Sequence, residues 1–154
     1  MWNSTQPSYN HPKYYSFKSM RFSDEVTTNN RNIHVMMIDD SKKDINLVKE
    51  ILKTECRANF TFSSYTDAHE ALKHLERKEK PDIIILDLVM PSMNGKMVLQ
   101  RLKGLLQTKE IPVVIHSSMS NYKNISHVNQ LDAHAFFEKP LDGESFENFL
   151  FNRS

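Results

Sequence analysis

The stretch PDIIILDLVMPSMNG, residues 81–95, decides the fold. Its four aliphatic residues, Ile83 to Leu86, form an unbroken run that suits a strand covered on both faces of a parallel sheet. The run ends on a carboxylate, Asp87, and a proline turn at Pro91 follows closely. A buried segment that ends on an acid predicts a strand whose carboxyl end opens into a polar site, because ligands bind at that edge of open parallel sheets.

Short apolar runs that alternate with amphipathic segments continue from residue 33 to the end of the chain. The predicted strands cover residues 33–38, 59–64, 82–86, 112–116 and 134–137. A helix is expected after each strand, with apolar residues at helical spacing, over residues 41–54, from 66 past 75, 95–106, 121–130 and 142–151. Five such units with short connections predict an α/β fold, a doubly wound layer structure around a five-stranded parallel sheet.

The composition suits one ordinary globular domain, since the chain has 154 residues with 39% hydrophobic and 25% charged residues. A formal net charge of +1 argues against broad electrostatic capture of nucleic acid or of an anionic membrane. No apolar run approaches the roughly 20 residues that a membrane-spanning helix needs. Cys56 is the only cysteine, which excludes an internal disulfide and favours a reducing, cytoplasmic setting.

Residues 1–32 differ from the rest of the chain because they contain almost no aliphatic residues. They do contain six aromatic residues: Trp2, Tyr9, Tyr14, Tyr15, Phe17 and Phe22. Without a periodic apolar pattern this stretch is not expected to build its own core, and we predict a flexible or loosely docked N-terminal arm before a domain at 33–152. The alternative is that its aromatic residues pack on the domain or on a partner.

Polar residues follow the predicted strands at the edge where ligands are expected. Asp39 and Asp40 end the first strand, Asp87 ends the third, and Ser117 and Lys139 follow the fourth and fifth. Three clustered carboxylates repel one another, and a hard divalent cation with oxygen ligands, Mg²⁺, resolves that conflict. Mg²⁺ in proteins usually also binds phosphate oxygens, and a carboxylate can accept a phosphoryl group covalently. The pattern therefore indicates phosphoryl chemistry.

Each of these signals has a simpler structural explanation. The pair at 39–40 can cap the first helix, Asp87 can be a turn residue, and residues 139–140 can form an ordinary loop. Their joint occurrence at one edge favours a site over three coincidences. His116 precedes Ser117 directly, but strand alternation directs its side chain to the opposite face, so we expect a core or partly buried histidine.

Four segments in a fixed order resemble the receiver domain of two-component response regulators. They are MMIDD at 36–40, PDIIILDLVMPSMNG at 81–95, IPVVIHSS at 111–118 and AFFEKP at 135–140. The resemblance covers about residues 33–151 and implies a flavodoxin-like (βα)₅ fold with strand order 2-1-3-4-5.

The resemblance also implies roles at a metal site. Asp87 corresponds to the aspartate that is phosphorylated. Asp40 and Asp87 would bind Mg²⁺ through their side chains, Asp39 would act mainly through water, and the backbone carbonyl of Val89 would be a further ligand.

Three further roles follow from the same resemblance. Ser117 and Lys139 would hold the phosphoryl oxygens, and Phe136 would be the aromatic residue that changes rotamer when Ser117 moves. A core role without switching is the alternative for Phe136.

The implied function is that of a stand-alone response regulator. A histidine kinase or histidine phosphotransfer protein would donate a phosphoryl group to Asp87. Output would pass through the face formed by residues 121–130, the fifth strand and the last helix, to a protein partner or a homodimer, without direct nucleic-acid or membrane binding. The protein would not be an enzyme, and it would lose the phosphoryl group slowly, because Val89 and Met119 are apolar at the positions that flank the path of the hydrolytic water.

Three other functions compete with this interpretation. A receiver-like interaction module that works without phosphorylation would not need the full acid set. A phosphatase that works through an aspartyl-phosphate would need a second acid or base beside Asp87, and Leu88 and Val89 supply none. A flavin or nucleotide binder would need a glycine-rich loop, whereas the only glycines are Gly95, Gly104 and Gly143.

Overall fold

The computed structural model describes residues 14–20, 22, 32–77, 79–91, 93–118 and 132–153. Within these ranges the strands form one sheet in the order β1-β6-β5-β4-β2-β3. The strands are β1 Tyr14–Ser16, β2 Ile33–Ile38, β3 Phe60–Tyr65, β4 Ile83–Leu86, β5 Val113–Ser117 and β6 Ala135–Glu138. All pairs from β6 to β3 are parallel. If β2 to β6 are numbered 1 to 5 and the sheet is followed from β3 to β6, the order is the predicted doubly wound order 2-1-3-4-5.

In the described part of the chain, three helices lie between successive strands and a fourth follows β6: α1 Lys42–Thr54, α2 Ala68–Arg77, α3 Gly95–Gly104 and α4 Gly143–Leu150. Ser41, Asn94 and Asp142 begin three of them, since each side-chain oxygen accepts a hydrogen bond from a backbone N–H three residues on. The helix expected at 121–130 lies outside the described residues. Of the described helices, none combines the length and apolar content that crossing a bilayer requires.

The sheet is covered on both faces, because alternate strand residues point to opposite sides. On one side, Met36, Ile84 and Ile115 pack with the buried faces of α2 and α3. On the other side, Met37 and Ile85 pack with α1 and α4. The continuous aliphatic runs of β4 and β5 are thus explained by burial of both faces, as the sequence predicted.

The N-terminal strand β1 is the main departure from the sequence-based expectation. Tyr14–Ser16 lies inside the segment predicted as a flexible arm, yet it pairs antiparallel with the outer edge of β6. The alternative, that aromatic residues of this segment pack on the domain, holds for the described residues 14–20 and 22. The sequence gives no local signal of this pairing, because three residues carry no periodic pattern and their pairing partner lies more than a hundred residues away. The boundary between arm and domain at residue 33 stays a prediction.

Candidate functional site

Three carboxylates meet at the carboxyl ends of β2 and β4. Asp39 and Asp40 directly follow β2, and Asp87 directly follows β4, which is the neighbouring strand in the sheet. One side-chain oxygen from each lies within 4.8 Å of the other two. Asp39 and Asp87 are buried, whereas Asp40 is exposed. Because adjacent parallel strands end at the same edge, the fold brings together the acids that the sequence singled out.

Lys139, which directly follows β6, is the counter-charge of this cluster. Its ammonium group donates to Asp39 Oδ2 at 3.0 Å and to Asp87 Oδ2 at 3.1 Å. It also donates to Asp44 Oδ2 at 2.8 Å. The Lys139 side chain is 21% exposed, so this network is largely shielded from water.

Asp44 is the site residue that the sequence analysis missed. It lies in the first turn of α1, where an acid is expected simply because it favours a helix N-terminus. Its backbone N–H donates to the Ser41 hydroxyl, which caps the helix at 3.2 Å. The pairing with Lys139 spans 95 residues of sequence, and no local signal indicates it.

Charge and burial oppose one another in this network. Burial raises the pKa of Asp39, against the opposing effects of the Ser41 N–H and Lys139. The hydrogen bond from Lys139 lowers the pKa of Asp44. Burial works against the charged form of Lys139, but its hydrogen bonds to Asp44 and Asp39 outweigh that effect and raise its pKa. The lysine is therefore firmly cationic, and Asp39 carries the cost of desolvation.

The loop after β4 holds Asp87 in place through backbone contacts. The Asp87 N–H donates to Ile38 O at 3.0 Å, and the Val89 N–H donates to Asp87 Oδ1 at 3.1 Å. Gly95 lies against this loop so closely that a Cβ there would come 2.2 Å from the Asp87 carbonyl oxygen. The glycine is required because α3 begins in direct contact with the backbone of the site.

Ser117 ends β5 within reach of the same aspartate. Its buried hydroxyl lies 3.4 Å from Asp87 Oδ1. Its backbone carbonyl oxygen accepts a hydrogen bond from the backbone N–H of Lys139 at 2.9 Å, which connects the end of β5 to the residue after β6. Phe136 lies earlier on β6, fully buried in the core cluster on the α2 and α3 side of the sheet. Burial of Phe136 fits its alternative as a core aromatic residue, and the rotamer switch stays a prediction.

His116 is buried on the face of the sheet opposite to Ser117, as strand alternation predicted. Its side chain is 2% exposed, and neither ring nitrogen has a hydrogen-bond partner in the part of the chain that the structure describes. Burial, with Lys139 nearby, lowers its pKa to about 3. The imidazole is therefore neutral over the physiological range and belongs to the core.

The simpler explanations of the acids fit the geometry less well than a site does. Ser41, and not Asp39 or Asp40, caps α1. Asp39 Oδ1 does accept the Ser41 N–H at 2.9 Å, but its second oxygen binds Lys139. Residues 139–140 are not an ordinary loop, because the lysine reaches three separate carboxylates.

The donor set suits a hard divalent cation. Carboxylate oxygens from Asp39, Asp40 and Asp87 lie close enough together to serve one ion, and oxygen is the ligand type that Mg²⁺ prefers. Burial raises the pKa of Asp39 despite its hydrogen bond from Lys139, so a further positive charge would favour the ionised form of this carboxylate. The predicted role of the Val89 carbonyl stays a prediction, and Met119 lies outside the described residues.

Comparison with known proteins agrees with this fold. The family model described as "Response regulator receiver domain" matches residues 35–150. The chain is 38% identical over 109 residues to the two-component response regulator ORR6 of Oryza sativa subsp. japonica, covering 71% of this chain and 64% of that protein. It is 30% identical over 119 residues to ORR1 of the same subspecies, covering 73% and 52%. The chain belongs to the family of response regulator receiver domains.

A solved structure shows the same architecture. The crystal structure of the Mn²⁺-bound form of response regulator Rcp1 superposes with a TM-score of 0.61 at 26% identity, covering 77% of this chain and 89% of that chain. The chain spans about half the length of ORR1 and just under two thirds of ORR6. The similarity to these relatives therefore concerns the receiver region.

Proposed function

We propose that this protein accepts a phosphoryl group on Asp87, with Mg²⁺ bound, from a histidine kinase or a histidine phosphotransfer protein. The observation that carries this proposal is the convergence on Asp87 of Lys139, at 3.1 Å, and Ser117, at 3.4 Å. The protein would thereby switch its contacts with other proteins. It would act in the cytoplasm as a phosphoacceptor and not as an enzyme that turns over a separate substrate.

The transfer step is a displacement at phosphorus. A carboxylate oxygen of Asp87 attacks the phosphorus atom, a P–O bond forms, and the P–N bond of the donor phosphohistidine breaks. The histidine nitrogen keeps the electron pair of the broken bond. Such a step needs mainly positioning and charge stabilisation. Asp87 is held by its backbone N–H, which donates to Ile38 O, and by its Oδ1 atom, which accepts the Val89 N–H.

The surrounding residues suit the charge that the transfer brings. A bound Mg²⁺ supplies positive charge for the carboxylates and the phosphoryl oxygens, and Asp39, Asp40, Asp87 and the Val89 carbonyl would hold it. The Mn²⁺-bound form of Rcp1 supports a divalent cation in a protein of this fold. The phosphoryl group adds roughly two negative charges, which the Lys139 ammonium and the Ser117 hydroxyl can engage.

The protein should gain one phosphoryl group when it is mixed with a small-molecule phosphodonor and Mg²⁺, as measured by intact mass spectrometry. With a chelator in place of Mg²⁺, the rate of adduct formation should fall by at least about a hundredfold, because a bound metal contributes several kcal/mol to such reactions. The variant Asp87→Asn should form no adduct. Equal adduct formation with the chelator would contradict the metal dependence. No adduct under any condition would favour an interaction module that works without phosphorylation.

We also propose that the phosphorylated protein loses its phosphoryl group slowly. The Val89 side chain is 56% exposed beside Asp87 and has no polar group to orient a water molecule. The variants Val89→Asn and Met119→Glu should therefore shorten the lifetime of the phosphorylated protein by about tenfold or more, since positioned polar groups contribute at least that much to proton transfer. The measurement is the decay of the adduct in Mg²⁺ after the donor is removed. Decay of the unmodified protein at the same rate as both variants would contradict the proposal.

A further inference from the structure

The outer edge of β6 is covered by a segment of the same chain. β1 pairs antiparallel with β6 in the register Tyr14 to Phe137, Tyr15 to Phe136 and Ser16 to Ala135. An uncovered edge strand presents unpaired N–H and C=O groups that can pair with a strand from another chain. The β6 edge is thus able to accept an extended peptide, and the structure shows one in place.

Aromatic side chains hold β1 on both faces of the sheet. The Tyr14 ring stacks on Phe137, with ring centres 4.8 Å apart and planes 8° apart. It also meets the edge of Phe149 on α4 at 5.8 Å. Tyr15 points to the other face, where it packs against the core cluster that contains Phe136. Two neighbouring aromatic residues therefore contact the edge from opposite sides.

The residues after β1 continue the docking. The Phe17 and Lys18 N–H groups donate to His134 O at 2.8 and 3.0 Å, and the Lys18 ammonium pairs with the Asp132 carboxylate. Phe22 donates its N–H to Leu150 O at 3.0 Å, and Met20 is buried in the core cluster on the α4 side. We call residues 14–20 and 22 the docked segment.

The docked segment is held less firmly than the strands behind it. β1 is three residues long, and its two tyrosines are only partly buried, whereas all four residues of β4 are fully buried. A short strand at the sheet edge opens locally at a lower free-energy cost than the buried strands do. The five parallel strands pair with one another without β1.

We propose that the outer edge of β6 is a docking site for an extended segment of a partner protein, and that the docked segment covers this site until it is displaced. The occupant that fits is an extended strand with two neighbouring aromatic residues followed by a basic residue, because that is the chemistry which β1 and Lys18 already bring to the edge. Recognition would combine backbone pairing with aromatic contacts on both faces of the sheet. The docked segment competes with a high effective concentration, on the order of millimolar for a short tether.

The trigger that would displace the docked segment is the phosphorylation of Asp87, so this part of the inference rests on the proposed function. Lys139 directly follows β6, and its ammonium group donates to Asp87 Oδ2. Its backbone N–H donates to the carbonyl oxygen of Ser117 at the end of β5. A phosphoryl group that engages Ser117 and Lys139 acts on the last residue of β5 and on the residue that follows β6. The strand that carries the docked segment is therefore connected to the charge change through Lys139.

The test uses the full chain and a fluorescent synthetic peptide with the sequence of residues 14–22, with a scrambled peptide as control. Phe17→Pro removes the donor of the bond to His134 O, whereas Phe17→Leu keeps it and serves as the matched control. Phe17→Pro should bind the peptide at least about tenfold more tightly than the unmodified protein or Phe17→Leu, because the covered edge is released. Lys18→Glu replaces the ion pair with Asp132 by two acids that repel each other. This variant should therefore also bind the peptide more tightly than the unmodified protein.

Three results would overturn the proposal or one part of it. If neither Phe17→Pro nor Lys18→Glu binds the peptide more tightly than the unmodified protein, the edge is not a docking site. If the unmodified protein forms a dimer in light scattering that Phe17→Pro abolishes, the occupant is a second copy and not a partner. If phosphodonor and Mg²⁺ form the Asp87 adduct without raising peptide affinity, the trigger is wrong. Absence of the adduct contradicts the proposed function instead, and leaves the peptide result with Phe17→Pro unaffected.

Discussion

Replacing Lys139 with methionine should lower the free energy of unfolding by about 3 kcal/mol or more in the absence of divalent cations, since removing one partner of a buried ion pair typically costs about 3–5 kcal/mol. Methionine keeps an unbranched side chain that is one atom shorter, and it removes the charge and its hydrogen bonds. The change leaves Asp39, which is fully buried, beside Asp87 and Asp44 without their shared cation. Urea unfolding measured at neutral pH gives the free energy directly.

Added Mg²⁺ should stabilise Lys139→Met more than it stabilises the unmodified protein. In the unmodified protein the lysine already occupies oxygens of Asp39 and Asp87, so an incoming ion competes with it. In the variant the ion meets no competing charge, and binding to the folded state raises the midpoint of unfolding further. Equal shifts in both proteins would contradict a shared site for the ion and the lysine.

Lys73→Met is the matched control for this experiment. Lys73 pairs with Glu70 at 3.5 Å on the surface of α2, with both side chains more than half exposed. Exposed pairs of this kind contribute about 0–1 kcal/mol, so the control should change stability little and should not change the response to Mg²⁺. If Lys73→Met lowered the free energy of unfolding as much as Lys139→Met does, the effect would come from the change in the protein's net charge and not from the site.

Replacing His116 with leucine should remove a large part of the acid sensitivity of the fold. The buried imidazole has a pKa of about 3, against an ordinary value of 6.5. As the pH falls below 6.5 the unfolded chain binds a proton at this position while the folded protein does not, so the folded state loses stability. Near a pH of about 4.5 the loss amounts to about 3 kcal/mol, at about 1.4 kcal/mol for each unit of pKa.

The comparison is between the pH profiles of the unmodified protein and His116→Leu. Both should have similar stability near neutral pH, because neither ring nitrogen bonds another group in the described residues and leucine leaves no polar atom buried there. Burial also lowers the pKa of His134, to about 4, but this histidine is present in both proteins and cancels in the difference. Parallel profiles down to a pH of about 4.5 would contradict the assignment of His116 as a neutral core residue.

The strands and the acids at their ends were predictable because both signals are local. The aliphatic run before Asp87 identifies a buried strand, and strand β2 begins and ends at the residues that the sequence predicted. Once five strands alternate with helices, the parallel sheet itself brings the ends of β2 and β4 together. The convergence of Asp39, Asp40 and Asp87 therefore follows from topology, without knowledge of side-chain contacts.

Two features were not predictable, and both depend on contacts between distant parts of the chain. Asp44 resembles any acid in the first turn of a helix, and only the folded structure places it 2.8 Å from Lys139. Tyr14–Ser16 lacks the apolar periodicity of a strand, because it pairs at one edge only and draws its stability from aromatic rings of β6 and α4. Neither contact has a signature in the residues nearby.

The most direct test is to locate the phosphoryl group by residue. The protein is treated with phosphodonor and Mg²⁺, the acyl phosphate is reduced with borohydride to homoserine, and the peptides are sequenced by mass spectrometry. We expect homoserine at position 87 alone, and none in the Asp87→Asn variant or without Mg²⁺. Homoserine at position 39, 40 or 44, or none at position 87 in protein that carries the adduct, would contradict the assignment of Asp87 as the phosphoacceptor.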